Sequence, residues 1–205
     1  MVSYGGTLSM HRGPMRRLIV LLILLTPVLT LAATHSGLAP RTGMLLVATE
    51  QIQDPRFQES VILITRHDRQ GTVGLILNRH LGKLPNELKS CLQTQPNGIF
   101  WGGPVAPLQV NALLFGGDKT PGRPLTEGLK IVSGDQLGEL LHYNPLEHCE
   151  LRVYLGYASW APSQLASEIS RDDWSVMPLD VTKLKRLAPE NLWQELVLTT
   201  PSPWI

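Results

Sequence analysis

Gly156-Tyr157-Ala158-Ser159-Trp160, preceded by Leu151-Arg152-Val153-Tyr154-Leu155 and followed by Gln164-Leu165, is the stretch on which the fold turns. Residues 151–155, apolar apart from Arg152, have the continuity of a buried strand. The block after them pairs in kind with Trp101-Gly102-Gly103-Pro104-Val105 upstream, and both read as glycine-and-aromatic turns between apolar runs. Neither holds a nucleophile–base pair, a metal-ligand spacing or a phosphate loop, so they speak of architecture and not of chemistry.

Working outward, residues 44–49 and 61–65 read as strands, and 73–77 pairs with the second across the turn-rich link Asp68-Arg69-Gln70-Gly71. Strands at 98–101 and 110–115 flank the Gly-Gly-Pro turn, and 129–132 is another. Leu84, Leu88, Cys91 and Leu92 fall at helical spacing. Ser133 with Gln136 forms a capping-box pattern ahead of Leu137, Leu140 and Leu141, in a helix that should stop near Asn144-Pro145. Pro162 is placed to open a helix carrying Leu165 and Ile169, residues 174–177 suit an edge strand, and short helices at 182–187 and 191–197 close the domain before a loose tail at 199–205. Helices interspersed with hairpin-joined strands predict an α+β fold: one compact domain whose mixed or antiparallel sheet, partly barrel-like, is surrounded by short helices.

The segments Gly43-Met44-Leu45-Leu46-Val47-Ala48, Asp54-Pro55-Arg56-Phe57, Ser60-Val61-Ile62-Leu63-Ile64, Gly74-Leu75-Ile76-Leu77-Asn78-Arg79, Gly102-Gly103-Pro104-Val105 and Leu155-Gly156-Tyr157-Ala158-Ser159-Trp160 occur in an order that resembles the YqgE/AlgH family. The resemblance runs from about Gly43 to about Val197. It departs from the family pattern at His80, where a proline is expected, and at Ser159 and Ser163, where glycine is expected. It implies an α+β bacterial protein, in most members cytoplasmic and often labelled a transcriptional regulator on genetic grounds. It brings no catalytic residue set and no cofactor.

The N-terminus carries a different message. Arg12, Arg16 and Arg17 precede the uncharged run 18–33, whose apolar centre ends in Thr26-Pro27 and then Thr30-Leu31-Ala32-Ala33. That order predicts a secretory signal peptide over residues 1–33, cleaved after Ala32 or Ala33, with the domain at 34–205 exported to the periplasm or beyond. The run is shorter than the roughly 20 residues a spanning helix needs. An uncleaved anchor, which would be the chain's one membrane attachment, and a cytoplasmic product starting at Met15 stay open as alternatives. Without residues 1–33 the chain loses three of its 18 basic residues and none of its 17 acidic ones, leaving about two negative charges in excess. With only the small basic groups Arg66/Arg69 and Lys183/Lys185/Arg186, that balance argues against nucleic acid as a partner. Hydrophobic content of 43% against 17% charged residues argues against disorder.

The candidate site residues are polar or aromatic groups at strand ends. Asn78 and Arg79 follow an apolar strand, and Arg79 either grips a carboxylate or phosphate or locks a loop through backbone carbonyls. With Gly102, Gly103, Pro104, Tyr157 and Trp160 they are grouped into one possible binding groove. The Gly-Gly-Pro run lacks the lysine and hydroxyl of a P-loop and reads as a tight turn needing positive φ. His67-Asp68 at the hairpin tip suits turn chemistry better than acid–base work. Cys91 and Cys149 form a disulfide in an oxidising compartment or stay as buried thiols. His142 and His148 lack a third ligand, so no metal is expected. These features favour a non-catalytic binding or regulatory module for an unidentified protein or small-molecule partner. The alternatives are a cytoplasmic transcriptional regulator and a hydrolase using Ser60, His67 or Cys91.

Overall fold

The computed structural model describes residues 1–2, 38–81, 98–116, 121–143 and 150–198. The helix expected around 84–92, Cys91, Cys149, His148, residues 3–33 of the signal segment and the tail at 199–205 lie outside the described residues; of His142 only the backbone is described.

The elements in chain order are β1 (Met44–Ala48), β2 (Val61–Asp68), β3 (Gly71–Ile76), β4 (Ile99–Trp101), β5 (Val105–Phe115), β6 (Arg123–Thr126), β7 (Leu129–Ser133), α1 (Gly134–Tyr143), β8 (Glu150–Trp160), α2 (Gln164–Ser170), β9 (Trp174–Pro178), α3 (Val181–Arg186) and α4 (Leu192–Val197), with a 3-10 turn at Pro189–Asn191. The described strands form one sheet in the order β6-β7-β5-β8-β3-β2-β1-β9, and β4 lies parallel on β8 beside that path. The other pairings are antiparallel. The sheet curls into a half-barrel with few, short helices. The Arg123 side chain on β6 donates to the Thr65 carbonyl of β2 at 2.7 Å, although four strands lie between the two along the sheet order.

Both faces of this sheet are covered, which is why strands such as Met44-Leu45-Leu46-Val47-Ala48 are apolar at every position instead of alternating. Side chains still alternate between faces. Leu45, Val47, Leu63, Leu75, Leu113, Leu125 and Leu129 point into the concavity, where Leu184 of α3 and Leu192 and Leu196 of α4 meet them. Met44, Leu46, Ile62, Ile64 and Ile76 face outward under Leu165 of α2, and Ala112, Leu114, Val132 and Val153 face outward under Leu137 and Leu140 of α1. The capping box forms as expected: the Ser133 amide donates to Gln136 Oε1 at 3.2 Å and the Gln136 amide to Ser133 Oγ at 3.4 Å.

Three sequence expectations need correcting. Residues 156–160 are not a turn: β8 runs unbroken from Glu150 to Trp160. Gly156, at φ 71°, bends the strand so that it leaves β5 and continues with Ala158–Trp160 paired to β3. The Gly-Gly-Pro block serves a close approach more than a turn. Gly102 is threaded between two strands, its amide donating to Leu155 O at 2.7 Å and its carbonyl accepting from the Ile76 amide at 2.9 Å. The hairpin is also longer than expected, because β2 continues through the exposed residues 66–68 and β3 begins at the buried Gly71 and Thr72, leaving a two-residue tip at Arg69-Gln70. Strand β6, Arg-Pro-Leu-Thr, carries no alternation by which to see it in the sequence.

Two polar residues, Arg152 buried and Ser163 exposed, mark where α3 and α2 join this apolar frame. Arg152, 5% exposed, donates from Nε to Glu150 at 2.8 Å and from Nη2 to Leu184 O at 3.2 Å, and lies over the Phe115 ring. It thereby fastens α3 to the sheet through a paired, hydrogen-bonded charge. Ser163 takes φ 67° just before α2 without a side-chain cap bond, a conformation that glycine, the residue expected there from the family pattern, adopts freely.

Candidate functional site

Asn78 and Arg79 leave β3 at the end of the sheet where the 50–59 loop crosses. Asn78 bridges that loop: Oδ1 accepts from the Val61 amide at 2.9 Å and Nδ2 donates to Glu59 O at 2.8 Å. The two bonds hold Glu59 at φ 53°, a left-handed backbone unusual for a residue with a Cβ. Arg79 Nη2 donates to Gln58 O at 2.6 Å and lies 3.5 Å from Pro55 O, so the guanidinium locks the loop through carbonyls, the second of the two roles its sequence position allowed. Within the loop Asp54 accepts from the Arg56 amide at 3.0 Å and from the guanidinium at 2.6 Å. The hydrogen bond from Arg56 lowers the Asp54 carboxyl from its ordinary pKa. A depressed carboxylate supports the folded loop above its unfolded pKa of about 3.9 and loses that support as pH falls through the folded value.

Removing the Asn78 side chain takes away both bonds and leaves the Val61 amide, on a fully buried residue, without its acceptor. Asn78→Ala is expected to cost about 2–3 kcal/mol in urea denaturation. Asn78→Asp, which keeps the acceptor for Val61 and loses the donor to Glu59, is expected to cost about half of that.

The braced loop forms one wall of a cleft of about 740 Å³ whose opposite wall is Glu190, Trp193 and Gln194. The Trp193 indole N–H donates to Ala48 O at 2.7 Å and fixes α4 to the end of β1. Glu50, Glu59 and Glu190 bring three exposed carboxylates to the lining, against one guanidinium already engaged on carbonyls. His80 stacks on Phe100 at 4.4 Å between ring centroids and lies 3.9 Å from Glu190 at the edge of this region.

The other expected groove residues lie elsewhere. Tyr157 lines a separate, smaller cavity on the concave side of the sheet. Trp160 is buried, packed edge-on against Trp174 at 5.8 Å and donating its indole N–H to Glu168. Gly102 and Gly103 lie against the β8 backbone. One groove through all seven residues is therefore not formed, because β8 passes the bend at Gly156 and carries Trp160 to the convex face.

Ser60 and His67 are likewise apart, flanking opposite ends of the β2 ladder. The Ser60 hydroxyl donates to Phe57 O at 2.7 Å, and His67 Nδ1 lies 2.7 Å from the Thr72 hydroxyl. Asp68 accepts from the Gln70 amide at 2.8 Å, the turn role expected of it. Among the described residues no three of His, Cys, Asp and Glu converge on a site for a metal ion. Glu50, Glu190 and Trp193 were not legible as site residues, since none belongs to a motif and the C-terminal helices bring two of them into place.

The AlgH-like family model matches residues 45–202. The chain belongs to the AlgH-like family. The matched span contains both cavities and all seven groove residues, and the order of segments that first suggested the kinship is thus that of a whole AlgH-like domain. A UPF0301 protein of Streptomyces avermitilis is 34% identical over 170 residues, covering 76% of this chain and 84% of that protein. A UPF0301 protein of Mycobacterium tuberculosis is 35% identical over 178 residues, covering 80% and 84%. Among solved structures, a Corynebacterium diphtheriae protein superposes with a TM-score of 0.67 at 26% identity, covering 82% of this chain and 91% of its own. The AlgH protein of Pseudomonas aeruginosa gives a TM-score of 0.60 at 24% identity, covering 78% and 89%, and supports the AlgH-like fold.

Proposed function

We propose that this AlgH-like chain is a non-catalytic binding module whose ligand enters the cleft between the 50–59 loop and the C-terminal helices. The observation that carries this reading is the balance of groups on a cleft of about 740 Å³: three carboxylates, amide side chains and the Trp193 ring, with the Arg79 guanidinium already engaged on the loop. Such a surface offers hydrogen-bond acceptors and an aromatic face, which suits a cationic, donor-rich group such as an arginine side chain of a peptide partner. The engagement of Ser60 and His67 at separate ends of β2 supports binding over hydrolysis.

The test is a nitrogen–proton NMR titration with acetyl-Gly-Arg-Gly-amide. Saturable shifts of the Trp193 indole and of the Glu50 and Glu59 amides are expected, weakened by about two- to fivefold in Glu190→Gln. Equal shifts from acetyl-Gly-Glu-Gly-amide, or none from either peptide, overturn the reading.

The same proposal places the module outside the cytoplasm, on the strength of the arginine–apolar–small-residue order in residues 12–33. Mass spectrometry of separated host fractions is expected to find a periplasmic species lacking residues up to Ala32 or Ala33. An intact mass beginning at Met1 or Met15 in the cytoplasmic fraction defeats it.

A further inference from the structure

The concave face changes character within a single two-residue step along several strands. On β2 the inward series passes from Leu63 to Thr65, on β5 from Leu113 to Asn111 and Gln109, and on β6 from Leu125 to Arg123. The apolar series continues only on β3, from Leu75 to Val73, and on β7, from Leu129 to Ile131. Where the series turn polar the half-barrel opens into a cavity of about 290 Å³, with Tyr157 at its edge. Barrel mouths of this kind are common ligand sites, because the strands hold the lining rigid while the end of the barrel leaves it open.

The charge here is the reverse of that in the larger cleft. Arg66 and Arg123 both line the cavity, and no lining residue is a carboxylate. Arg123 donates from Nη2 to Thr65 O, which aims the fork across the mouth. Arg66 is half-exposed and only loosely paired, 3.7 Å from Asp68. Among the described residues the side chains of Gln109, Asn111 and Tyr157 make no hydrogen bond, so donors stand ready beside the two guanidinium groups. Val73, Leu75 and Ile131 supply an apolar bed below them.

We propose that this mouth is a second ligand site, which takes a small molecule with an apolar body and one oxyanion, a carboxylate or phosphate. The oxyanion meets the Arg66 and Arg123 guanidinium groups, whose planar forks suit its oxygens, and the apolar body rests on Val73, Leu75 and Ile131.

The full chain is titrated with benzoate, with phenyl phosphate and with neutral benzyl alcohol, following the backbone amides of Thr65, Asn111 and Tyr157 by NMR. Saturable shifts at these amides are expected from at least one of the two anions, and which one binds more tightly identifies the headgroup. Benzyl alcohol is expected to bind about tenfold more weakly or worse. Arg66→Gln, an exposed change that leaves the Arg123–Thr65 bond in place, is expected to weaken the anion by roughly ten- to a hundredfold. Arg123→Lys, which keeps the charge and loses the fork, serves as a second variant with a smaller loss. The proposal is overturned if neither anion shifts these amides, if benzyl alcohol binds as tightly as the anions, or if both arginine variants bind like the parent chain.

Discussion

Gly103→Ala is expected to cost about 4 kcal/mol or more, enough to unfold most of the protein at ordinary temperature. A Cβ at residue 103 would fall inside the Tyr157 carbonyl and the Ala158 nitrogen, which are backbone atoms of the central strand and cannot rotate away. The residue also sits at φ 149°, which a side chain resists independently of the space around it. Gly102 and Gly156 form the other part of the same contact, since a Cβ at residue 102 would meet Gly156 O and one at residue 156 would meet Gly103 O. Relief would require β8 to move off the 102–103 segment, breaking the Gly102–Leu155 bond and uncovering the switch at which β8 passes from β5 to β3. Gly138→Ala on the exposed side of α1 is the matched control. It meets nothing within 4 Å and should stabilise the chain by about 0.5–1 kcal/mol. Circular dichroism melts of the two variants separate the explanations: if Gly103→Ala behaves like Gly138→Ala, the close approach of the two glycine blocks does not hold the sheet together.

These glycines also mark where reading from sequence gave way. Val61-Ile62-Leu63-Ile64 and Met44-Leu45-Leu46-Val47-Ala48 announce strands because continuous β-branched and aliphatic runs are local signals, and Ser133/Gln136 announces a helix start for the same reason. Gly156 is ambiguous in sequence: a left-handed residue ends most strands, and here a second strand packed at Gly102 and Gly103 keeps it within one. The site divided along the same line. Asn78 and Arg79 stand out as polar residues after an apolar run, and both line the larger cleft. Its partners Glu190 and Trp193 arrive from more than a hundred residues away, by the docking of α4 through the Trp193–Ala48 bond. Tyr157, grouped from sequence with Asn78 and Arg79, instead lines the separate concave-side cavity, and Arg123, which lends that cavity its charge, lies on a four-residue strand containing a proline that no periodicity reveals.

Glu168→Ala is expected to cost about 3–5 kcal/mol, from a residue that looks in sequence like ordinary surface charge on a short helix. A single carboxylate oxygen, Oε2, accepts from the indole nitrogens of both Trp160 and Trp174 at 2.8 Å each, while Oε1 accepts from Gln164 Nε2 at 2.9 Å. Both tryptophans are 4% exposed, so once the carboxylate is gone neither indole N–H reaches water without opening the convex core. Their edge-on packing, and the contact of Phe57 with both rings, ties α2, β8, β9 and the 50–59 loop to that pair. The loss should therefore appear in the urea midpoint and also in a changed near-ultraviolet circular dichroism and tryptophan emission. Glu168→Gln keeps an oxygen that can accept from both indoles and loses only the charge assistance, so it should cost about 1–2 kcal/mol and leave the aromatic spectrum close to that of the parent chain. Equal losses in the two variants would mean that the charge, not the shared acceptor, holds the tryptophans. No loss in Glu168→Ala would mean that the rings hold their places by packing alone.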